Sequence, residues 1–331
     1  RAHARNRKAS RAPTTPWTRW SCRALFAAPA AGGSANAILA QTFGRAIAYD
    51  RGVDREEYRR TSLENWQVMA SGWERQRAEI EKVTRPVSEW MVGALNPRPG
   101  DIVLELAAGP GDVGLLAAPL VGVDGRLISS DFSSEMVEVA RRRTAELGLQ
   151  NVEHRVIDAE EIPLGDDSVD GILCRFGFML MPDPDAALAE TRRVLRPGGR
   201  LALAVWSTPE RNPWIAIAGR VLAERGLAPP PEPGTPGMFV LAQEERLREL
   251  LEGAGFGLER VEDVAVLLRY DDVDAYITAA RDTGGMFARI WRDASGDERE
   301  TIKTRLVESF ASFAADGGYE LPGVAVARGA D

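Results

Sequence analysis

The sequence predicts an α/β fold: a doubly wound, mostly parallel seven-stranded sheet with added helices. Three observations carry this. Short apolar runs with β-branched members alternate with helical stretches between residues 102 and 206, a spacing that requires crossover connections and a parallel sheet covered on both faces. The first run, Ile102, Val103, Leu104 and Leu106, leads directly into a glycine turn, Gly109-Pro110-Gly111-Asp112-Val113-Gly114. Acidic residues stand where successive strands end, at Glu105, Asp131 and Asp158.

Residues 1–49 differ from the rest. They hold eight Arg or Lys and no acid, Asp50 being the first, so the other 33 of the 41 basic side chains face all 49 acids after it. An Arg-, Ala- and Ser-rich, acid-free start resembles an organelle transit peptide; the plainer expectation is a disordered or targeting-like basic extension over residues 1–33 that adds nothing to the core. From Asn36 the chain reads as helical, so residues 34–98 are expected to form N-terminal helices covering the substrate side. Trp66, Met69, Trp73, Ile80, Val83, Val87 and Met91 recur near helical spacing, with Pro86 expected to start a new segment. Most of these aromatics are expected to be packing residues, with Tyr58, Trp66 or Trp73 available to close a pocket mouth.

Residues 99–210 form the expected ligand-binding core. Pro99-Gly100 precedes the first strand, and a helix is expected to start near Asp112. Residues 126–130 read as the second strand, and Ser133 as the N-cap of a helix with Met136, Val139, Ala140 and Leu147 on one face and Gly148 as its stop. Residues 152–157 and 169–174 read as strands three and four. Asp183-Pro184 opens a helix that Arg196-Pro197-Gly198-Gly199 ends, and residues 201–206 make strand five. In the C-terminal part, residues 211–331, Asn212-Pro213-Trp214 starts a helix and residues 229–237 form a proline-rich loop. Helices are expected at 244–251, 272–283 and 297–315, and strands near 258–268 and 319–328.

Composition narrows the function. Apolar content of 44% and charged content of 27% are those of a soluble globular protein, and no apolar run is long enough for an integral membrane segment. A net charge of −8 argues against a nucleic-acid partner. Two cysteines, Cys22 and Cys174, give no disulfide framework and suggest a reducing, cytoplasmic location. With His3 and His154 alone, neither a metal site nor a serine–histidine triad is supported, and no metal is expected.

In an open parallel sheet the ligand crevice lies outside the carboxyl ends of the strands, so Glu105, Asp131 and Asp158 converge there. Three acids in register favour a ligand bearing hydroxyl and amine groups. The turn also satisfies G-x-G-x-x-G, with Asp131 placed to meet a ribose hydroxyl, so a dinucleotide remains open on these residues alone.

Five segments in order, V-L-E-L-A-A-G-P-G-D, S-S-D-F-S-S-E-M, V-I-D-A-E-E-I-P, D-G-I-L-C-R-F-G-F-M-L-M-P-D and R-V-L-R-P-G-G-R-L-A-L-A-V-W, together resemble the class I S-adenosylmethionine-dependent methyltransferases, near their type 11 and quinone-biosynthesis-like bacterial branch. The resemblance implies the Rossmann-like methyltransferase fold and S-adenosyl-L-methionine as cofactor. It implies that Glu105, Ala107, Gly109 and Gly111 cradle the methionine part, with Glu105 near its amino group. Asp131 would accept from the ribose, Phe132 and Met136 would pack near the adenine, Asp158 and Ala159 would face its edge, and Arg175 and Phe176 would line the cofactor side. Ala107 stands where the family often has glycine, and a negative φ is expected there.

The expected activity is methyl transfer by in-line displacement to a small lipophilic or aromatic acceptor. Phe178, Met179, Trp206 and Trp214 are the block of expected acceptor-facing residues, with Met181 and Phe239 beside them. No catalytic base stands out, His154 and Cys174 reading as strand residues. An NAD(P)-binding oxidoreductase and a catalytically silent methyltransferase-like partner protein are the alternatives. Such folds end in a two-stranded hairpin; here a helical insertion of some forty residues is expected to separate the two strands.

Overall fold

A computed structural model describes residues 54–229 and 235–331. The expectations for residues 1–33, for helix before Asp54 and for the middle of the proline-rich loop lie outside the described residues.

The core is laid down by strands that are buried on both faces. β1 (Ile102–Glu105), β2 (Arg126–Asp131) and β4 (Val169–Arg175) are buried almost throughout, as a parallel sheet covered on both sides requires. β3 (Val152–Val156) is partly exposed because it is an edge. β5 (Leu195–Trp206) completes the parallel part. β6 (Leu258–Tyr270) and β8 (Gly318–Ala330) pair antiparallel, and the order is β3-β2-β1-β4-β5-β8-β6, with the two-residue β7 (Ala314–Ala315) beside β8. The expected hairpin is therefore present although its strands are far apart in sequence.

Nine helices are described. α2 (Gly114–Val121), α3 (Ser134–Glu146) and α4 (Pro184–Val194) are the crossovers, followed by α5 (Pro213–Glu224) and α6 (Glu244–Gly253). α7 (Val273–Thr283), α8 (Gly285–Asp293) and α9 (Gly296–Phe310) fill the insertion between β6 and β8. Local capping chemistry places several starts: Ser133 accepts from the Met136 N–H, Asp183 from Ala186 and Asp272 from Ala275. The residues 196–199 do more than end α4. They loop out of β5, so that Val169 lies opposite Leu195 but Gly171 opposite Arg200.

Before β1 stands α1 (Arg55–Leu95), 41 residues long. Pro86 does not start a new segment as the sequence suggests; the helix runs through it. A proline deprives the carbonyl four residues back of its donor. Burial around it compensates: Val87 and Met91 are fully enclosed, and Thr84 and Ser88 hydroxyls donate to the Ile80 and Thr84 carbonyls. Farther up, α1 crosses the end of α7 at Gly72. A Cβ there would fall 2.0 Å from the Asp282 carbonyl oxygen, so only glycine admits the crossing. Trp73 Nε1 donates to the Thr283 carbonyl at 3.2 Å, and Gln76 to the Asp282 carboxylate at 2.7 Å.

This crossing predicts a contrast between two glycines of one helix. Gly72→Ala should lower the melting temperature by about 2–12 °C, because overpacking costs about 1–3 kcal/mol and each kcal/mol is worth about 2–4 °C at this size. Gly93→Ala, where a Cβ meets nothing within 4 Å, should raise it by about 2 °C through helix propensity. Thermal melts followed by circular dichroism check both.

Candidate functional site

At the carboxyl ends of β1 and β2 the chain buries two carboxylates beneath the glycine turn. Glu105 is 2% exposed; its Oε1 accepts from the Gly114 N–H at 2.8 Å and its Oε2 from the Ser129 hydroxyl at 3.4 Å. Gly114 makes this possible, since a Cβ there would lie 2.2 Å from Glu105 Oε2. Asp131 is 7% exposed and accepts from the Gly109 N–H at 2.9 Å and the Ser133 N–H at 3.0 Å. The two acids thus hold the turn at both ends. Burial dominates their ionisation: it pushes Glu105 up to about 7 against the Gly114 N–H, and Asp131 up to about 6 against the N–H groups of Ser133, Gly109 and Phe132.

The backbone between them is strained. Ala107 has φ +49°, contrary to the negative φ expected from its side chain. The left-handed conformation costs an L-residue about 1–2 kcal/mol. It is imposed by its neighbours, because Leu106 N–H donates to Leu173 and Ala108 N–H to Ser130, fixing the chain on each side. Phe176, at the end of β4, is also left-handed at φ +62°. The two strained residues meet through Gly177, where a Cβ would come within 2.7 Å of the Ala107 methyl and of Cys174 Sγ. Strain of this kind at adjoining strand ends marks a site rather than a plain connection.

Above Gly109, at φ +52°, a Cβ would meet nothing within 4 Å, so the turn offers open approach to its backbone. Gly111 is left-handed as well, and a Cβ there would press on Leu115 at 3.2 Å. Asp131 has two oxygens and about four acceptor positions, so it retains capacity for a hydroxyl beyond its backbone bonds. The donor set and the open turn fit a ribose and an amino-acid tail.

The other expected residues divide into three groups. Asp158 stays at the mouth, half-buried, with one oxygen on the Glu160 N–H and the other 3.0 Å from Arg59 Nε. Ala159 is buried behind it and Phe132 is half-buried. Met136 is fully buried among Ala70, Val139, Trp66 and Trp73, so it touches the underside of α1. Phe178 and Met179, expected to face an acceptor, are 1% exposed and belong to the main core, because a short 3-10 turn (Phe178–Leu180) folds them inward. Trp206 is buried and stacks on Phe176 at 4.0 Å between ring centroids, with Trp214 edge-on to it at 5.1 Å.

Arg175 is embedded rather than lining a surface. Its guanidinium donates to Asp112 at 2.8 Å, to the Ser88 hydroxyl at 3.1 Å and to the Thr84 hydroxyl. The bonds from Arg175 to Thr84 and Ser88, with the ion pairs from Arg59 to Asp158 and Glu160 and from Arg55 to Asp183, join α1 to the loops beyond β3 and β4. Tyr58 also reaches the crevice, its hydroxyl donating to the Leu180 carbonyl at 3.4 Å. Sequence reasoning missed Asp112, Arg59 and Arg55; pairs separated by 63 to 128 positions leave no periodic signal. His154 Nε2 lies 2.9 Å from the Thr144 hydroxyl, and burial lowers its pKa, which places it in packing against α3. Among the described residues no helix is long and apolar enough to cross a membrane.

Comparison with known proteins bears on this geometry. Residues 103–199 match a family model described as a methyltransferase domain. The chain is 40% identical over 116 residues to a ubiquinone/menaquinone biosynthesis C-methyltransferase of Teredinibacter turnerae, covering 35% of this chain and 47% of that one. It is 28% identical over 244 residues to an uncharacterised protein of Mycobacterium tuberculosis, covering 72% and 85%. The chain spans about half the length of the quinone C-methyltransferases it matches. Among solved structures, a protein of Bacillus halodurans solved under a provisional methyltransferase assignment aligns with a TM-score of 0.52 at 22% identity, covering 73% and 97%, a likeness of fold. Over residues 103–199 the chain is thus similar to methyltransferase domains.

The raised pKa of Glu105 has a definite sign. The unfolded chain ionises this acid near pH 4.5 and the folded one near 7, so its contribution to stability shrinks as pH rises through that interval and is level above it. Asp131 acts in the same direction up to about 6. Thermal melts of Glu105→Gln against the parent should therefore show a smaller fall in melting temperature between about pH 5 and about pH 8. Parallel pH profiles would mean that Glu105 is ionised throughout.

Proposed function

We propose that this protein is an S-adenosyl-L-methionine-dependent methyltransferase acting on a small lipophilic or aromatic acceptor. The observation that carries this reading is the glycine turn at residues 109–114, braced from beneath by Glu105 and Asp131 and open above Gly109. The family match over the same residues supports it.

In this reading the turn takes the methionine end, Asp131 accepts from the ribose hydroxyls, and Phe132, Asp158 and Ala159 border the adenine. When bound, the cofactor supplies a methyl group on a sulfonium, already activated for in-line displacement. What remains for the protein is positioning and exclusion of water, which together can supply much of a rate. α1 lies across the strand ends through Arg175, Arg59 and Arg55, and with the inserted α7–α9 it forms the cover. The Phe176–Trp206–Trp214 ladder gives the acceptor side a flat, apolar character. The name of the Teredinibacter relative, a quinone-pathway C-methyltransferase, agrees with an acceptor of that kind. No side chain is assigned as a base.

Calorimetric titration with S-adenosylmethionine, S-adenosylhomocysteine and NAD tests the cofactor, the expected result being binding of the first two only. Asp131→Ala should weaken that binding by about 1–3 kcal/mol, or roughly 5- to 150-fold. Incubation with a radiolabelled methyl donor and a panel of quinols, phenols and isoprenoid alcohols tests the acceptor. Cofactor binding without transfer to any of them would favour a silent partner protein, and tight binding of NAD alone would favour an oxidoreductase.

A further inference from the structure

Trp206 closes β5 and is 4% exposed, its ring stacked on Phe176 with Trp214 edge-on to it. Among the described residues its indole Nε1–H has no acceptor. Trp73, Trp90 and Trp214 are all less buried, yet each donates: to the Thr283 carbonyl, to the Glu262 carboxylate and to Asn212 Oδ1. A buried indole N–H ordinarily finds such a partner, because going without one leaves its desolvation uncompensated. Nor is the Trp206 nitrogen sealed in. Five side-chain atoms of the described residues are both shut off from solvent and without a partner, on Asp112, Arg143, His154, Ser168 and Arg246, and this nitrogen is not one of them. It is therefore an unpaired donor that a ligand can reach.

The donor stands where a methyl acceptor has to lie. Phe176, the ring on which Trp206 stacks, is followed by Gly177, which lies against the Ala107 methyl just before the glycine turn. The ladder and the turn thus border one crevice. An aromatic ring laid on the ladder excludes water from Nε1, and a group that displaces water without replacing its hydrogen bond loses affinity. We infer that Trp206 Nε1 donates to an oxygen of the methyl acceptor, an inference that rests on the methyltransferase reading above. An indole nitrogen only donates, so the acceptor has to bring a lone pair to it. The donor is uncharged, and the cation over the Phe176 ring, Arg175 at 5.6 Å, is already paired with Asp112. A neutral donor beside an engaged cation suits a phenolic hydroxyl or a quinone carbonyl better than a carboxylate or a phosphate, which call for charge-assisted bonds. The acceptor class narrows from any small lipophilic molecule to an aromatic ring bearing an oxygen, and Trp206 is the binding residue that selects it.

The experiment crosses one ring nitrogen with one oxygen. Binding of 2-naphthol and of naphthalene to the full chain, loaded with S-adenosylhomocysteine, is measured by fluorescence titration on the parent and on Trp206→Phe, which keeps an aromatic ring against Phe176 and removes the N–H. The parent should favour 2-naphthol by about 5- to 50-fold, and the variant by less than about threefold. No preference in the parent, an equal preference in both proteins, or binding of neither probe overturns the inference. A second measurement needs no variant. In the parent with its tryptophans isotope-labelled for nitrogen NMR, the Trp206 indole N–H signal, identified through its contacts with Phe176, should move downfield with 2-naphthol and hold with naphthalene. A signal that ignores 2-naphthol overturns the inference as well. Calorimetry with S-adenosylhomocysteine alone keeps the two readings apart: absence of cofactor binding sinks the methyltransferase reading, whereas cofactor binding without a preference for 2-naphthol sinks only the role of Trp206.

Discussion

Two carboxylates buried under one turn set the rest of this site. Glu105 and Asp131 sit at the ends of adjacent parallel strands and receive backbone N–H groups from opposite ends of the same glycine loop. An isolated acid in such a place would be expelled or protonated. Each is retained because the loop has N–H donors to spare, and their bonds offset part of the burial that raises the pKa of both acids. The geometry follows from this in sequence. Gly114 has to be glycine for Glu105 to reach its nitrogen, Ala107 is forced left-handed between two fixed neighbours, and Gly177 has to make room for the Ala107 methyl. The loop is thereby preorganised at the cost of strain, as binding sites often are.

What was legible in the sequence was what is encoded locally. The strands at 102–105, 126–131 and 169–175 announced themselves through the short apolar runs Ile102–Leu104, Leu127–Ile128 and Ile172–Cys174, which burial on both faces favours. Ser133, Asp183 and Asp272 announced helix starts because a capping side chain acts within three residues. The placing of acids at strand ends was equally legible, since topology alone carries them to one edge.

The rest depended on tertiary partners. Pro86 carries a local signal to break a helix, and packing of Val87 and Met91 outweighed it. The negative φ expected for Ala107 failed because the preference of one residue yields to hydrogen bonds on both sides of it. Phe178 and Met179 looked like lining residues by position, and only the turn that folds them inward makes them core. Asp112 and Arg175 give no hint of each other along the chain, 63 residues apart. No element was expected between residues 283 and 297, where Gly285 opens α8.

The continuity of α1 has a mechanical meaning. Its C-terminal half is anchored, with Trp90 donating to Glu262 and Met91 enclosed in the core, whereas its first turns meet the crevice through Arg59 and Tyr58. Between them lies Pro86, the one rung of the helical ladder that has no N–H to donate. From there to Arg59 is about 40 Å at 1.5 Å per residue. A bend of about 10° at that rung would carry the Arg59 end through about 7 Å, far beyond the reach of an ion pair. α1 is in this sense a lever whose fulcrum is flanked by Thr84 and Ser88, the two residues that grip Arg175. Opening the crevice, loosening the guanidinium that steadies Asp112 and parting α1 from α7 at Gly72 would then be one motion rather than three.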